Sequence, residues 1–183
     1  MTMTAQPTYP IERVLDRVAS KPEVLAALRR GVGRSLDEAP SAWPYVIEAA
    51  GDIRWREEAA HVTLGLFALH QQSKQPGSMN QKEWGLGRAC RTLKYRRSTR
   101  GSSEDGVERR FRAALSSDSL TSLAVHLRGL VTLLRGEDIP LDYSRLFWDL
   151  SSWRNVGRRD RVALRWAREY FKVTAEEDKE GSE

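Results

Sequence analysis

The amino-acid sequence predicts an all-α fold, an elongated helical bundle built from two helical halves. Apolar residues recur three and four positions apart in almost every segment of the 183-residue chain, which is the periodicity of amphipathic helices. Runs of β-branched residues with alternating polarity, which indicate strands, are missing. Gly31, Gly51 and Gly136 each follow an apolar segment, at positions where glycine favours the end of a helix.

Residues 1–97 form the predicted N-terminal half. Ser20 is followed three residues later by Glu23, a spacing typical of a capping box at a helix start. The longest apolar segment carries apolar residues on two faces, so its helix is expected to be mostly buried. The expected helices of this half are Ile11–Ala19, Glu23–Arg30, Trp43–Ala50, Asp52–Gln72 and, after a loop, Leu86–Arg97.

Residues 98–106 are polar and glycine-rich, and they form the predicted linker to a C-terminal half at residues 107–173. Asp142 is expected to cap a helix that runs through Leu150. The other expected helices of this half are Val107–Leu115, Leu120–Arg135 and Arg158–Lys172. Residues 174–183 are too charged and too poor in apolar side chains to pack, which predicts an acidic disordered tail.

The composition is that of a soluble protein, with 40% hydrophobic residues. The lone cysteine, Cys90, excludes an internal disulfide. No stretch reaches the roughly eighteen apolar residues that a membrane span requires. The first residues lack both the charged region and the apolar run of an export signal. We therefore expect a cytoplasmic protein that does not enter membranes.

The net charge of +5 hides a more basic body. The last ten residues contain five acids and one lysine, a net charge of −4, so the remaining residues carry +9 by subtraction. A basic body suits a protein that binds nucleic acid, although other proteins share this charge.

Side chains that could serve in catalysis or metal binding do not cluster along the sequence. His61 and His70 are nine residues apart, on opposite sides of a helix, and no cysteine or carboxylate completes a metal-ligand spacing. Gly85 and Gly87 resemble a phosphate-binding turn, but no strand precedes them and no Gly-Lys-Ser/Thr follows; we interpret them as a flexible helix start. The sequence predicts no metal site, no cofactor and no enzymatic activity.

Basic side chains are in excess, and they make polyanion binding the first functional hypothesis. Arg158, Arg161, Arg165, Arg168 and Lys172 are three or four residues apart and form one row on a helix. The row extends about 21 Å at about 1.5 Å per residue, enough to meet several phosphates of a nucleic-acid backbone. We expect it to lie opposite the apolar face of its helix.

Other cations cluster elsewhere in the chain, and each also has a structural explanation. Arginines at a helix end are favoured by the helix dipole, and solvated arginines need no partner. Trp84 and Tyr95, near Arg88 and Arg91, could stack on unpaired bases, although a tryptophan at a helix start more often packs in the core. The predicted nucleic-acid-binding residues are Arg29, Arg30, Arg34, Arg88, Arg91, Lys94, Arg97, Arg110, Arg128, Arg158, Arg161, Arg165 and Arg168.

Several segments, in this order and spacing, resemble one known family. They are Leu28–Gly31 (LRRG), Pro40–Trp43, Gly85–Ala89 (GLGRA), Gly106–Leu115 (GVERRFRAAL), His126–Arg135 (HLRGLVTLLR), Ile139–Tyr143 (IPLDY), Trp148–Trp153 and Arg165–Phe171 (RWAREYF). Together they cover nearly the whole chain. The sequence resembles the CasB family, the small subunit of the type I-E CRISPR surveillance complex Cascade.

This resemblance implies a non-catalytic, all-helical subunit of a complex that carries a guide RNA. Its implied partners are the guide RNA, the target and displaced DNA strands, the large and backbone subunits of Cascade and a second copy of the chain. The implied task is to hold nucleic acid during R-loop formation. Arg29, Arg30, Arg88, Arg110 and Arg128 match the family by motif as phosphate contacts, whereas the row from Arg158 is added on physical grounds.

A different class of function remains open. The chain could be a purely structural helical adaptor, whose arginines meet acidic surfaces of other proteins. Salt dependence of nucleic-acid binding separates the two hypotheses, because phosphate contacts release counterions.

Overall fold

A computed structural model of the chain describes residues 9–100 and 105–172. It confirms the all-α prediction. The helices of this part are α1 (Pro10–Val18), α2 (Pro22–Arg30), α3 (Trp43–Ala50), α4 (Arg54–Gln71), α5 (Leu86–Ser98), α6 (Asp105–Leu115), α7 (Leu120–Gly136), α8 (Tyr143–Ser151) and α9 (Val156–Tyr170).

The helix ends follow local chemistry. Gly51 ends α3 with φ 67°, a left-handed conformation in which a side chain is strained. The Asp142 carboxylate accepts a hydrogen bond from the Arg145 amide at 2.9 Å, so the predicted cap of α8 is confirmed. The predicted capping box at Ser20 and Glu23 is wrong, because Lys21 precedes α2 without a side-chain cap and Pro22 begins the helix.

Two short 3₁₀ turns, Leu36–Glu38 and Pro40–Ala42, were not predicted. The first is held by Glu38, whose carboxylate accepts from the Ser35 amide at 3.1 Å. They occupy the interval between α2 and α3, where Pro40 begins the second turn. Pro44 lies in the first turn of α3, a position at which proline is tolerated but hinders extension of the helix in the N-terminal direction.

The core is built around α4. This helix packs against α2 and α3 on one side and against α7 and α8 on others, and Ala60, Leu64 and Phe67 are fully buried in it. Helices α5 and α9 form another close pair. One apolar cluster therefore runs through helices from both predicted halves. The division at residues 98–106 stays a prediction; residues 101–104 and the predicted tail at 174–183 lie outside the described residues.

Two glycines explain how α5 approaches α9. A Cβ atom on Gly87 would lie 2.1 Å from the carbonyl oxygen of Trp166, and one on Gly85 would lie 2.5 Å from a carboxylate oxygen of Glu169. Gly87 has no room for a side chain because it faces the backbone of α9, whereas Gly85 faces the ends of the Glu169 and Arg145 side chains. The prediction that these glycines lie at a helix start is confirmed, since Gly85 is the N-cap of α5. They are also close contact points between two packed helices, which the sequence did not indicate.

Candidate nucleic-acid interface

Helix α9 presents most of the predicted basic row to solvent. Asn155 caps the helix by accepting from the Arg158 amide at 3.0 Å, and Trp166 and Tyr170 anchor its opposite face in the core. Arg158, Arg161 and Arg168 are exposed. Among the described residues none of these three guanidinium groups pairs with a carboxylate.

Arg165 departs from the row. It is half-buried and pairs with the buried carboxylate of Asp149 on α8. The same carboxylate accepts from Trp166 Nε1 at 2.8 Å. Burial raises the pKa of Asp149 above its usual range, against the opposing effect of the Arg165 guanidinium. The expectation that Arg165 lies opposite the apolar face is wrong, since its guanidinium points to a buried acid that sequence spacing does not reveal.

Helix α5 carries a second group of predicted cations. The guanidinium of Arg88 lies over the ring of Trp84, 4.3 Å from its centroid, and Trp84 itself packs against the core. Arg91 donates to the carbonyl oxygen of Lys172 at 3.3 Å, which places it beside the end of α9. Tyr95 is 64% exposed, whereas Arg97 is half-buried. The exposed cation and ring of this group are Arg88 and Tyr95.

Lys94 also has an internal acidic partner. Its ammonium donates to Glu108 on α6 at 3.1 Å, and Arg112 donates to the same carboxylate at 2.7 Å. Hydrogen bonds from Arg112 and then Lys94 hold the pKa of Glu108 below its usual range. Lys94 is therefore placed as part of a bridge between α5 and α6.

The remaining predicted arginines lie on α2, α6 and α7 and beside them. Arg29 is half-buried and Arg30 exposed at the end of α2. Arg110 donates to the Gly106 carbonyl at 3.0 Å. Arg34 and Arg128, which are 94 residues apart in sequence, line the mouth of one cavity. None of these five has a carboxylate partner within residues 9–100 and 105–172.

That cavity has a volume of about 460 Å³. It opens between the segment after α2, one side of α4 and the start of α7, and its lining residues are Gly31, Val32, Gly33, Arg34, Ser35, Leu36, Glu58, His61, Val62, Gly65, Leu66, Thr121, Ala124, Val125 and Arg128. Sequence reasoning selected Arg34 and Arg128 but missed the space between them, because three distant segments form it.

His61 was expected to be a surface or hydrogen-bonded residue, and it is hydrogen-bonded. Its Nε2 donates to the Arg34 carbonyl at 3.1 Å. In the part of the chain that the structure describes, no group of three or more His, Cys, Asp or Glu side chains is placed to hold a metal ion. No helix there is long and apolar enough to cross a membrane.

A second surface cluster was also missed. The guanidinium of Arg56 lies between the rings of Trp55 and Trp148, 4.8 Å and 4.7 Å from their centroids. The ring of Tyr9 packs against Trp148 at 5.3 Å. Trp55 is 46% exposed. Residues 9, 55 and 148 meet only in the folded chain, so their spacing in the sequence carries no signal.

Comparison with known proteins identifies the family. Residues 24–171 match the model of CRISPR-associated protein Cse2. A CRISPR-associated protein Cse2 from Thermus thermophilus is 34% identical over 161 residues, which cover 86% of this chain and 84% of that protein.

Solved structures share the fold. The crystal structure of CasB from Thermobifida fusca is similar with a TM-score of 0.70 and 29% identity, covering 88% of this chain and 93% of that one. A chain of a CRISPR RNA-guided surveillance complex is similar in fold, with a TM-score of 0.69, 24% identity and coverage of 94% and 95%. These findings confirm the resemblance to CasB. The chain belongs to the CRISPR-associated Cse2 family.

Proposed function

We propose that this chain is a non-catalytic subunit of a CRISPR RNA-guided DNA surveillance complex and stabilises the R-loop by holding nucleic-acid backbones. Its proposed partners are the guide RNA with the target strand, the displaced strand, the large and backbone subunits and a second copy of the chain. Support comes from the family and from the fold shared with a chain of a CRISPR RNA-guided surveillance complex.

One observation carries the proposal. Eight of the predicted arginines are exposed and have no carboxylate partner among the described residues, whereas Lys94 and Arg165 are paired. The eight are Arg30, Arg34, Arg88, Arg110, Arg128, Arg158, Arg161 and Arg168. A guanidinium group that no internal acid neutralises attracts phosphate, and contacts to phosphate are largely independent of base sequence. The base sequence would be read by the guide RNA.

The mechanism is electrostatic. Exchange of a DNA duplex for an RNA–DNA duplex is close to neutral in free energy, so protein contacts to the backbones can decide its direction. Cations that hold the displaced strand oppose its return to the target strand. This requires neither a nucleophile nor a metal ion from the chain.

A reconstituted complex with guide RNA and a DNA duplex tests the proposal through the lifetime of the R-loop. We expect the triple variant Arg158→Gln, Arg161→Gln, Arg168→Gln to shorten this lifetime several-fold. The matched control neutralises Arg13, Lys21 and Arg54, which are exposed cations outside the predicted set. Equal lifetimes for the wild type and the α9 variant would contradict the proposal.

The adaptor hypothesis also has an observation in its favour. Trp43 and Ile47 lie one turn apart on α3 and are each 43% exposed, and Trp55 is similarly exposed. Tryptophan is enriched where proteins bind one another. An adaptor without nucleic-acid contacts predicts that omission of the chain impairs assembly of the complex while the α9 variant behaves as the wild type.

A further inference from the structure

The cavity between the segment after α2, α4 and α7 has the features of a small-ligand site. Its volume of about 460 Å³ lies within the range of about 300–1,000 Å³ that such sites occupy. Its walls are mainly aliphatic and include Val32, Val62 and Leu66. Val125, at 66% exposure, leaves an apolar side chain in water at this site, which an apolar ligand surface would cover.

The segment after α2, which forms one wall of the cavity, is held in place by contacts within the chain. A Cβ atom on Gly65 would lie 3.0 Å from a methyl carbon of Val32, and one on Gly31 would lie 2.9 Å from the ring of His61. Glycine at both positions therefore lets this segment approach α4 closely. His61 then holds the carbonyl of Arg34 at 3.1 Å. This hydrogen bond holds the backbone of Arg34 against α4.

The mouth of the cavity is cationic. Arg34 is exposed at one side. A Cβ atom on Gly33 would lie 3.4 Å from Nη1 of Arg128, so the guanidinium of Arg128 lies over the same segment. Of the described residues that line the cavity, Glu58 alone is acidic. Two guanidinium groups against one carboxylate favour an anionic ligand. The aliphatic walls favour a ligand whose body is flat or apolar.

We propose that this cavity receives one unpaired nucleobase, while Arg34 and Arg128 bind the phosphates on either side of it. The inference rests on the proposed function, because the base would belong to the same nucleic acid whose backbone the exposed arginines contact. Aliphatic walls can sandwich the faces of a base. The Thr121 hydroxyl and the Glu58 carboxylate, both lining the cavity, provide hydrogen-bonding groups for its edge.

The full chain and two single-stranded DNA oligonucleotides test this proposal. One strand carries bases throughout; the other has the same length and phosphates but abasic sugars. We expect the wild type to bind the strand with bases at least about fivefold more tightly, as expected for one base enclosed by protein. If a variant with a filled cavity loses this preference for the strand with bases, the preference arises at the cavity.

Two variants fill the cavity. Ala124→Leu places a larger side chain at a half-buried lining position, and Thr121→Leu does so at an exposed one. Either should reduce the preference for bases to less than about twofold. The matched control is Ala113→Leu, a half-buried position of α6 that does not line the cavity, and it should keep the wild-type preference. Use of two fillers covers the case in which one impairs folding.

The outcomes separate this inference from the proposed function. If the wild type binds both strands equally, or if the folded fillers keep the preference, the cavity does not take a base and its occupant is better sought in an apolar side chain of a protein partner. If the wild type binds neither strand, the proposed function fails and the inference with it.

Discussion

Arg165 on α9 and Asp149 on α8 form an ion pair in which the carboxylate is buried. The pair joins two helices, and Trp166 completes it through the indole hydrogen bond of 2.8 Å to the same carboxylate. One cation of the basic row therefore stabilises the fold, while its neighbours Arg161 and Arg168 are exposed.

Arg165→Met should lower the free energy of unfolding by about 3 kcal/mol, because it leaves a buried carboxylate without its cation. Arg168→Met, at an exposed position of the same row, should change it by less than about 0.5 kcal/mol. Urea denaturation of the two variants measures both values. Equal stability of the two variants would show that the ion pair is not structural.

Gly87→Ala should destabilise the chain by about 3 kcal/mol, because a methyl group there meets the backbone of α9 and cannot be relieved by a change of rotamer. A Cβ atom on Gly136, at the end of α7, has no neighbour within 4 Å, so Gly136→Ala is the matched control and should be close to neutral. Thermal melts compare them. A Gly87→Ala chain as stable as the control would contradict the close approach of α5 to α9.

His70 makes the stability depend on pH. It is fully buried, its Nδ1 lies 2.9 Å from the Tyr143 hydroxyl, and burial lowers its pKa from 6.5 to about 4. A folded-state pKa below the unfolded value means that the stabilising contribution is complete above pH 6.5 and is lost as the pH falls towards 4. The loss is about 3 kcal/mol over this window.

The measurement is the free energy of unfolding of the wild type and of His70→Gln at several pH values. Across that window the free energy of unfolding of the variant should fall less steeply with decreasing pH than that of the wild type. The difference in slope should be about 1.4 kcal/mol per pH unit, the contribution of one titrating group. Parallel curves for the two proteins would show that His70 is not the titrating group. Glutamine is suitable because it keeps a polar side chain without a charge change.

The fold was largely predictable because each helix has its own apolar period and its own end signals. The apolar run in α7 and the cap at Asp142 are local features, and both lie where they were predicted. The start of α2 was mistaken because Ser20 and Glu23 satisfy the capping pattern, whereas Pro22 fixes the first turn. Where the two local patterns disagree, the proline determines where α2 begins.

The candidate site was only partly predictable, since it depends on distant residues. Arg158, Arg161 and Arg165 follow one another at the helical spacings of three and four residues, but of these three only Arg165 pairs with the buried Asp149. Likewise, nothing local indicates that Arg34 and Arg128 share one cavity. Helical periodicity assigns a face to a residue; the partner across that face is set by tertiary packing.

The central claim is that exposed arginines of this scaffold hold phosphate. The most direct measurement is the affinity of the full chain for single-stranded DNA as a function of salt concentration. We predict a linear fall on a log–log plot with a slope of about −0.7 per phosphate contacted, and a slope shallower by about 1.4 for Arg158→Gln, Arg161→Gln. A flat plot, or no binding even at low salt, would contradict the account.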